Sequence, residues 1–193
     1  MKKVGILDLQ GDVSEHVTAV DAAIKQGGLK CETLKIKTPE GVRGVDALII
    51  PGGESTTIGK LLKKYGIGSE IKKLAKAGKP VMGTCAGLII VGKDTNKVNS
   101  LSIMDVVAQR NGFGRQKESF EADLTIPALG KESYPAVFIR APYIKKAGKN
   151  VEVLAEYDGR IVMARENNVL ALAFHPELTD DFRLQRYFLR MLR

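Results

Sequence analysis

Cys85, His175 and Glu177 are the residues whose types and spacing can do nucleophilic chemistry. Cys85 stands in Pro80-Val81-Met82-Gly83-Thr84-Cys85-Ala86-Gly87-Leu88. An apolar lead-in runs into Gly-x-Cys-x-Gly, and small, helix-compatible residues follow. That reads as a strand, a sharp turn and a helix start, the thiol counterpart of the Gly-x-Ser-x-Gly nucleophile elbow. The two glycines let the backbone turn tightly around one side chain, which then projects from the end of a sheet. At the head of the following helix, the positive end of the macrodipole favours thiolate over thiol. Such a cysteine needs a base, and the sequence holds two histidines. His16 falls on the first predicted helix, in keeping with a surface or interface position. His175 falls in Leu170-Ala171-Leu172-Ala173-Phe174-His175-Pro176-Glu177, just past an apolar strand, and functional groups of open α/β sheets gather at strand ends. His175 and Glu177 are two apart, so an extended backbone puts both on one side, and Pro176 stiffens the link. This permits Cys–His–Glu logic, in which the carboxylate orients the imidazole and the imidazole moves the thiol proton. Cys31 reads as a small core hydrophobe.

The elements that must position these groups follow from hydrophobic periodicity. Lys3 to Leu9 reads as a buried strand. Asp12 to Gln26 carries Val13, Val17, Val20 and Ile24 near a helical repeat, and Gly27-Gly28 ends that helix. Cys31 to Ile36 and Asp46 to Ile50 read as strands, the latter stopped by Pro51-Gly52-Gly53, by itself a tight turn after a strand. Ser69 to Ala77 reads as a helix and Pro80 to Gly83 as a buried strand. Strands alternating with helices predict a mainly parallel sheet covered on both faces. The second half changes character. Ser119–Thr125, Ala136–Ile139, Val151–Tyr157, Arg160–Arg165 and Val169–Phe174 read as strands with short turns, and Asp158-Gly159 is a hairpin signal. Thr179 is expected to cap a last helix, with Asp180 and Asp181 in its first turn and Arg190 and Arg193 near its end. The expected fold class is α/β: a single three-layer domain over residues 1–193, with a mainly parallel central sheet, helices on both faces and some antiparallel strands in the C-terminal half.

Composition excludes several function classes. The 193 residues suit one domain with a substantial core. No apolar run reaches about 18 residues, so no transmembrane span is expected. The N-terminal apolar run is broken by Asp8 and then by Gln10-Gly11-Asp12, which reads as a strand rather than an export signal, and a cytoplasmic location is expected. Two cysteines and two histidines without Cys-x-x-Cys spacing make neither a disulfide framework nor a structural zinc site. The formal charge of +8 raises a nucleic-acid partner, but Lys63-Lys64, Lys72-Lys73 and Lys145-Lys146 are scattered, with no aromatic-basic interleaving, and read as solvated surface.

Gly83-Thr84-Cys85-Ala86-Gly87 with His175-Pro176-Glu177 resembles the class I triad glutamine amidotransferases. Finer blocks narrow the likeness to the glutaminase subunits of pyridoxal 5′-phosphate synthase. They are Gly5-Ile6-Leu7-Asp8-Leu9-Gln10-Gly11 with Glu15-His16; Pro51-Gly52-Gly53-Glu54-Ser55-Thr56-Thr57; Arg110-Asn111-Gly112-Phe113-Gly114-Arg115-Gln116; Ser119-Phe120-Glu121; Val137-Phe138-Ile139-Arg140-Ala141-Pro142; and Phe174-His175-Pro176-Glu177-Leu178-Thr179. They run in that family's order over nearly the whole chain. The resemblance implies hydrolysis of L-glutamine to L-glutamate and ammonia through a thioester on Cys85, with His175 and Glu177 completing the triad. It implies an oxyanion hole from the Ala86 and Gly53 N–H groups, formed before or only after a partner docks. Glutamine contacts are implied at Gly53, Glu54, Ser55, Arg110, Ile139 and Arg140, with no metal and no cofactor. A synthase subunit in a hetero-oligomer is implied to capture the ammonia, and the first helix with Glu15, His16 and the Gln10 loop is plausible docking surface. Asp8 and Asp12 stand where small residues are expected and touch no catalytic position. Rival readings are a glutaminase feeding another acceptor, such as imidazole glycerol phosphate synthase, a cysteine peptidase or deglycase on a related fold, and a non-enzymatic scaffold.

Overall fold

The computed structural model describes residues 1–93, 98–113 and 119–192. Its first half alternates strands and helices: β1 (Lys2–Leu7), α1 (Val13–Gly27), β2 (Cys31–Ile36), α2 (Pro39–Arg43), β3 (Ala47–Ile50), α3 (Ser55–Lys64), α4 (Ile67–Lys76), β4 (Val81–Thr84) and α5 (Ala86–Val91). The second half is mostly β5 (Val106–Gln109), β6 (Ser119–Leu124), β7 (Tyr134–Ile139), β8 (Tyr143–Ala147), β9 (Glu152–Tyr157), β10 (Arg160–Glu166) and β11 (Val169–Leu172), before α6 (Arg183–Leu189). The large sheet runs β2-β1-β3-β4-β11-β10-β8-β5, with β9 paired to β10, and β6-β7 forms a separate two-stranded sheet. Strands β2, β1, β3, β4 and β11 are mutually parallel, and β10, β8, β9 and β5 join antiparallel. The α/β class with a mainly parallel sheet and late antiparallel strands is what the sequence predicts.

Every residue of β3, β4 and β11 is buried, as the unbroken apolar runs of a strand covered on both faces require. Right-handed crossovers place α1, which leads from β1 outward to β2, on one face of the sheet. They place α3 and α4, which lead from β3 the other way to β4, on the opposite face. The chain therefore reverses direction between β1 and β3. In such a sheet the crevice at the carboxyl ends of those strands is where ligands bind. The loop after β1 and the loop after β3 border that crevice, and β4 and β11 end beside it.

Some expectations need correction. The sequence pattern does not announce α3: its Ser-Thr-Thr-Ile-Gly opening has weak helix propensity, and packing forms it, since a Cβ on Gly59 would lie 1.7 Å from the Val98 carbonyl oxygen. Nor does it announce α2, β5 and β8. Thr179 does not cap the last helix, which begins at Arg183 after Phe182. Thr179 instead follows a 3-10 turn, Pro176–Leu178, and the Arg183 amide donates to Asp181 Oδ1 at 3.0 Å. Asp180 and Asp181 thus precede the helix, Arg190 closes it, and Arg193 lies outside the described residues. The Asp158-Gly159 hairpin forms as expected between β9 and β10, with both φ angles positive, 51° and 68°. The paired lysines are exposed, as expected. Among the described residues, no helix is long and apolar enough to cross a membrane.

Candidate active site

The turn from β4 into α5 is built differently from the sequence expectation. Gly83 and Gly87 do not take left-handed backbone angles; Cys85 does, at φ 50° and ψ −104°. What the glycines supply is room. A Cβ on Gly83 would lie 2.4 Å from the Gly87 carbonyl oxygen, and one on Gly87 would lie 2.1 Å from that of Ile50. Helix α5 can therefore press against β3 and β4. The strained cysteine is held by its own amide, which donates to the Leu172 carbonyl at 2.8 Å, and strain of this kind persists only where the surroundings over-determine it. Its thiol is 9 % exposed and lies 3.9 Å from the Ile139 carbonyl oxygen. Ala86 is the first residue of α5, and the first amides of a helix have no intrahelical partner.

His175 sits just past β11, its amide donating to the Val137 carbonyl at 2.8 Å. The backbone does not continue extended to Glu177; Pro176 opens the 3-10 turn, which the Gln185 side-chain amide fixes by donating to the Pro176 carbonyl at 2.9 Å. The turn, rather than strand alternation, brings Glu177 Oε1 to 2.7 Å from His175 Nδ1. Burial opposes a charge on His175, but hydrogen bonds with the Cys85 sulfur and the Glu177 carboxylate raise its pKa to about 10. Burial also opposes the Glu177 charge, yet His16 and His175 hold its carboxyl below the usual range. Asp12 Oδ2 reaches within 3.4 Å of Nδ1, so Asp12 lies against His175, a contact the sequence does not announce. His16 is also misplaced by the sequence reading: it is fully buried, 3.3 Å from Glu177 Oε2, and is not available as docking surface.

In front of this pair lies a cleft of about 400 Å³ that Cys85, His175, Ala86, Gly53, Glu54, Ser55, Arg110, Ile139 and Arg140 line. All the residues singled out from the sequence thus converge, with Glu177 behind the imidazole. The Arg110 block continues to Gly114, Arg115 and Gln116, which lie outside the described residues. Gln10, Asp12, Ile89, Asn111 and Pro142 also line the cleft, although sequence reasoning does not single them out as site residues. Gln10 braces the loop after β3, for its Oε1 accepts the Glu54 amide at 2.8 Å. Gly11 presses on the same loop, and a Cβ there would lie 1.7 Å from the Gly52 carbonyl oxygen. That oxygen faces the Asp12 amide at 3.4 Å, so across a trans peptide the Gly53 N–H is directed the opposite way. The Glu54 carboxylate caps α3 through the Thr57 amide at 2.8 Å and the Thr56 amide at 3.2 Å, and pairs with Arg110 at 3.1 Å. Burial opposes its charge, but the Thr56 and Thr57 donors outweigh it and hold its pKa at about 2. Arg140, at φ 41°, is exposed and makes no ion pair with a described residue.

The cleft therefore joins a thiol, an imidazole with a carboxylate behind it, backbone donors at two loop-to-helix junctions, and fixed charges of both signs. This is equipment for acyl transfer through a covalent thioester. Among the described residues one cation-sized grouping exists: ligand atoms of Asp12, His175 and Glu177 lie within 4.8 Å of one another. Nδ1, however, donates its proton to the carboxylate and so has no lone pair to offer a metal.

Comparison with known proteins agrees with this chemistry. A sequence model of the SNO glutamine amidotransferase family matches residues 6–193. The pyridoxal 5′-phosphate synthase subunit PdxT of Geobacillus kaustophilus is 49 % identical over 99 % of this chain and 95 % of its own length. That of Archaeoglobus fulgidus is 50 % identical over 98 % of each. A crystal structure described as a glutamine amidotransferase superposes with a TM-score of 0.88 at 44 % identity, covering 98 % of both chains. With cleft, cysteine turn and full-length likeness in agreement, the chain belongs to the SNO glutamine amidotransferase family.

Proposed function

We propose that residues 1–193 form one glutaminase domain, which hydrolyses L-glutamine to L-glutamate and ammonia and supplies the ammonia to the synthase subunit of a pyridoxal 5′-phosphate synthase. The observation that carries the reading is that Cys85 and His175, the latter backed by Glu177, line a cleft that also presents Glu54, Arg110 and Arg140. The thiol proton passes to His175 Nε2, and the sulfur attacks the side-chain amide carbon. The carbonyl π electrons move onto oxygen, where the Ala86 and Gly53 N–H groups receive the charge; one such donor is typically worth about 2.7–4 kcal/mol of barrier. The intermediate collapses, the C–N bond breaks, and His175 protonates the departing ammonia. His175 then takes a proton from water, whose oxygen attacks the thioester, and glutamate leaves as the sulfur regains its proton. Glu177 keeps the Nδ1–H tautomer throughout. Glu54, with Ser55 and the Ile139 carbonyl, suits an α-ammonium, and Arg110 and Arg140 suit an α-carboxylate. The exposed part of α1 around Glu15 and the Gln10 loop suit docking of the synthase subunit. Both cysteines are free, which fits work in the reducing cytoplasm.

The test is glutamate and ammonia release from L-glutamine by the purified chain, alone and mixed with such a synthase subunit. Release that rises on mixing, with glutamine nitrogen appearing in pyridoxal 5′-phosphate, is expected. Cleavage of a peptide while glutamine is left untouched overturns the reading. Within the same assay, Arg140→Ala is expected to raise KM by roughly 10–100-fold, the range for losing a charged hydrogen bond. The melting temperature should hardly change, because Arg140 is exposed. Unchanged glutamine kinetics would remove Arg140 from the substrate site.

A further inference from the structure

His16 is a buried titratable group that the proposed reaction leaves unused. It lies on α1, and its ring is fully enclosed between Thr84, the last residue of β4, and Glu177. Nε2 stands 3.0 Å from Thr84 Oγ1 and 3.3 Å from Glu177 Oε2. Among the described residues neither His16 Nδ1 nor Glu177 Oε2 has an aligned hydrogen-bond partner. A carboxylate only accepts, so the proton belongs on Nε2; the other tautomer would turn a lone pair toward Oε2 and bury an unpaired N–H at Nδ1. The groups that act on the ring are Glu177, His175, Asp12 and, on its own helix, Glu15. Burial pushes the ring's pKa down and prevails over the pull of Glu177, with His175 adding to the push while Asp12 and Glu15 add to the pull.

We propose that His16 is a positioning residue for the reaction: hydrogen-bonded to Thr84, it sets its Nε2 edge against the outer Glu177 oxygen so that the inner one meets His175. The inference rests on the glutaminase reading of the same site. Neutrality is part of the arrangement. A protonated His16 would share the Glu177 charge between two cations and loosen its hold on the His175 proton. A neutral ring offers the carboxylate only the dipole of its N–H edge, 3.3 Å away, and leaves its charge to His175. The contact also ties α1 to the strand that carries the nucleophile, since Thr84 precedes Cys85 directly.

Two conservative variants test this. The amide of His16→Gln ends near the position of Nε2 and can still donate to Thr84 and Glu177; that of His16→Asn ends one bond short, near Nδ1. His16→Gln is expected to keep kcat within about threefold of the parent, and His16→Asn to lose roughly 10–100-fold in kcat at similar KM, the scale of losing a supporting hydrogen-bond partner. The rate of Cys85 alkylation by iodoacetamide is read against pH without glutamine. Its acid limb should move up by about half a pH unit or more in His16→Asn, because a loosened Glu177 stabilises imidazolium less. Equal kcat and equal alkylation profiles for the two variants would mean that His16 only fills space, and the proposal would fall. Thr84→Val leaves His16 itself in place but removes its aligned partner. It should move the alkylation limb in the same direction, and an unmoved limb overturns the proposal even if neither His16 variant folds. Absence of glutamine hydrolysis by the parent chain, with the alkylation shift intact, defeats the glutaminase reading and leaves the positioning role standing.

Discussion

Cys85→Ala is expected to abolish glutamate release, lowering kcat by about 10⁴-fold or more, the scale seen when a triad nucleophile is removed. The loss should persist when the synthase subunit is present, because docking can complete an oxyanion hole but cannot supply a nucleophile. Ser55 also lines the cleft, but it is 3 % exposed at the first turn of α3, whereas Cys85 directly joins β4 to α5. The variant should fold. Alanine at position 85 bears the same φ of 50° that cysteine bears and gives up only the packing of one sulfur, about 1 kcal/mol or less. Glutamine should still bind, since Glu54, Arg110 and Arg140 are untouched, and calorimetric titration can show a dissociation constant within a few fold of the parent KM. Glutamate release by Cys85→Ala above about 1 % of the parent rate would defeat the covalent mechanism.

The sequence carried the parts of this site that depend on local pattern. The strand–turn–helix around Cys85 is legible because apolar run, small residues and helix start are contiguous. What the pattern could not give is which residue bears the strain: glycine composition suggests that Gly83 and Gly87 turn the chain, whereas they admit neighbouring backbone and Cys85 takes the unusual angles. His16 shows a different limit. A helical stripe through Val13, Val17, Val20 and Ile24 leaves His16 to one side. The buried face is Val13, His16, Ala19, Val20 and Ala23, a stripe rotated by about one position. The spacing of 13, 16, 20 and 23 is available as a signal, but a histidine reads as polar until a buried carboxylate is known to wait for it. Asp12 and Gln10 escape sequence reasoning because a loop's destination is set by packing from elsewhere, here Gly11 against Gly52, and no local pattern encodes that approach. The same holds for α3, whose helix depends on a glutamate cap and on Val98 lying against Gly59.

The approach of the two loops also makes Gly52 a sensitive position. Gly52→Ala is expected to lower kcat by about 10²-fold, the cost of displacing a catalytic group by about 1 Å. The backbone at Gly52 lies outside the left-handed region, so alanine is conformationally acceptable there; the obstacle is in front of it. A Cβ would stand 2.6 Å from His175 Cε1, 2.8 Å from Asp12 Oδ2 and 3.2 Å from His175 Nδ1. Asp12 is the free end of a half-exposed side chain and can swing toward solvent. The imidazole cannot follow as easily, because it is 4 % exposed and bound to Glu177 at 2.7 Å. The ring therefore yields by tilting away from the sulfur, or the Gly52-Gly53 loop yields and carries the Gly53 N–H off its proposed oxyanion position. Either movement lowers kcat more than it raises KM, and the melting temperature should fall by only a few degrees, as for a strain of about 1–2 kcal/mol. A second substitution separates the two neighbours of the new methyl. Asp12→Ala removes the carboxylate but leaves the contact with Cε1, so Gly52→Ala should stay impaired in that background. Recovery of activity in the double variant would show that the methyl acts through Asp12, and that the imidazole has more freedom than its burial and its bond to Glu177 allow.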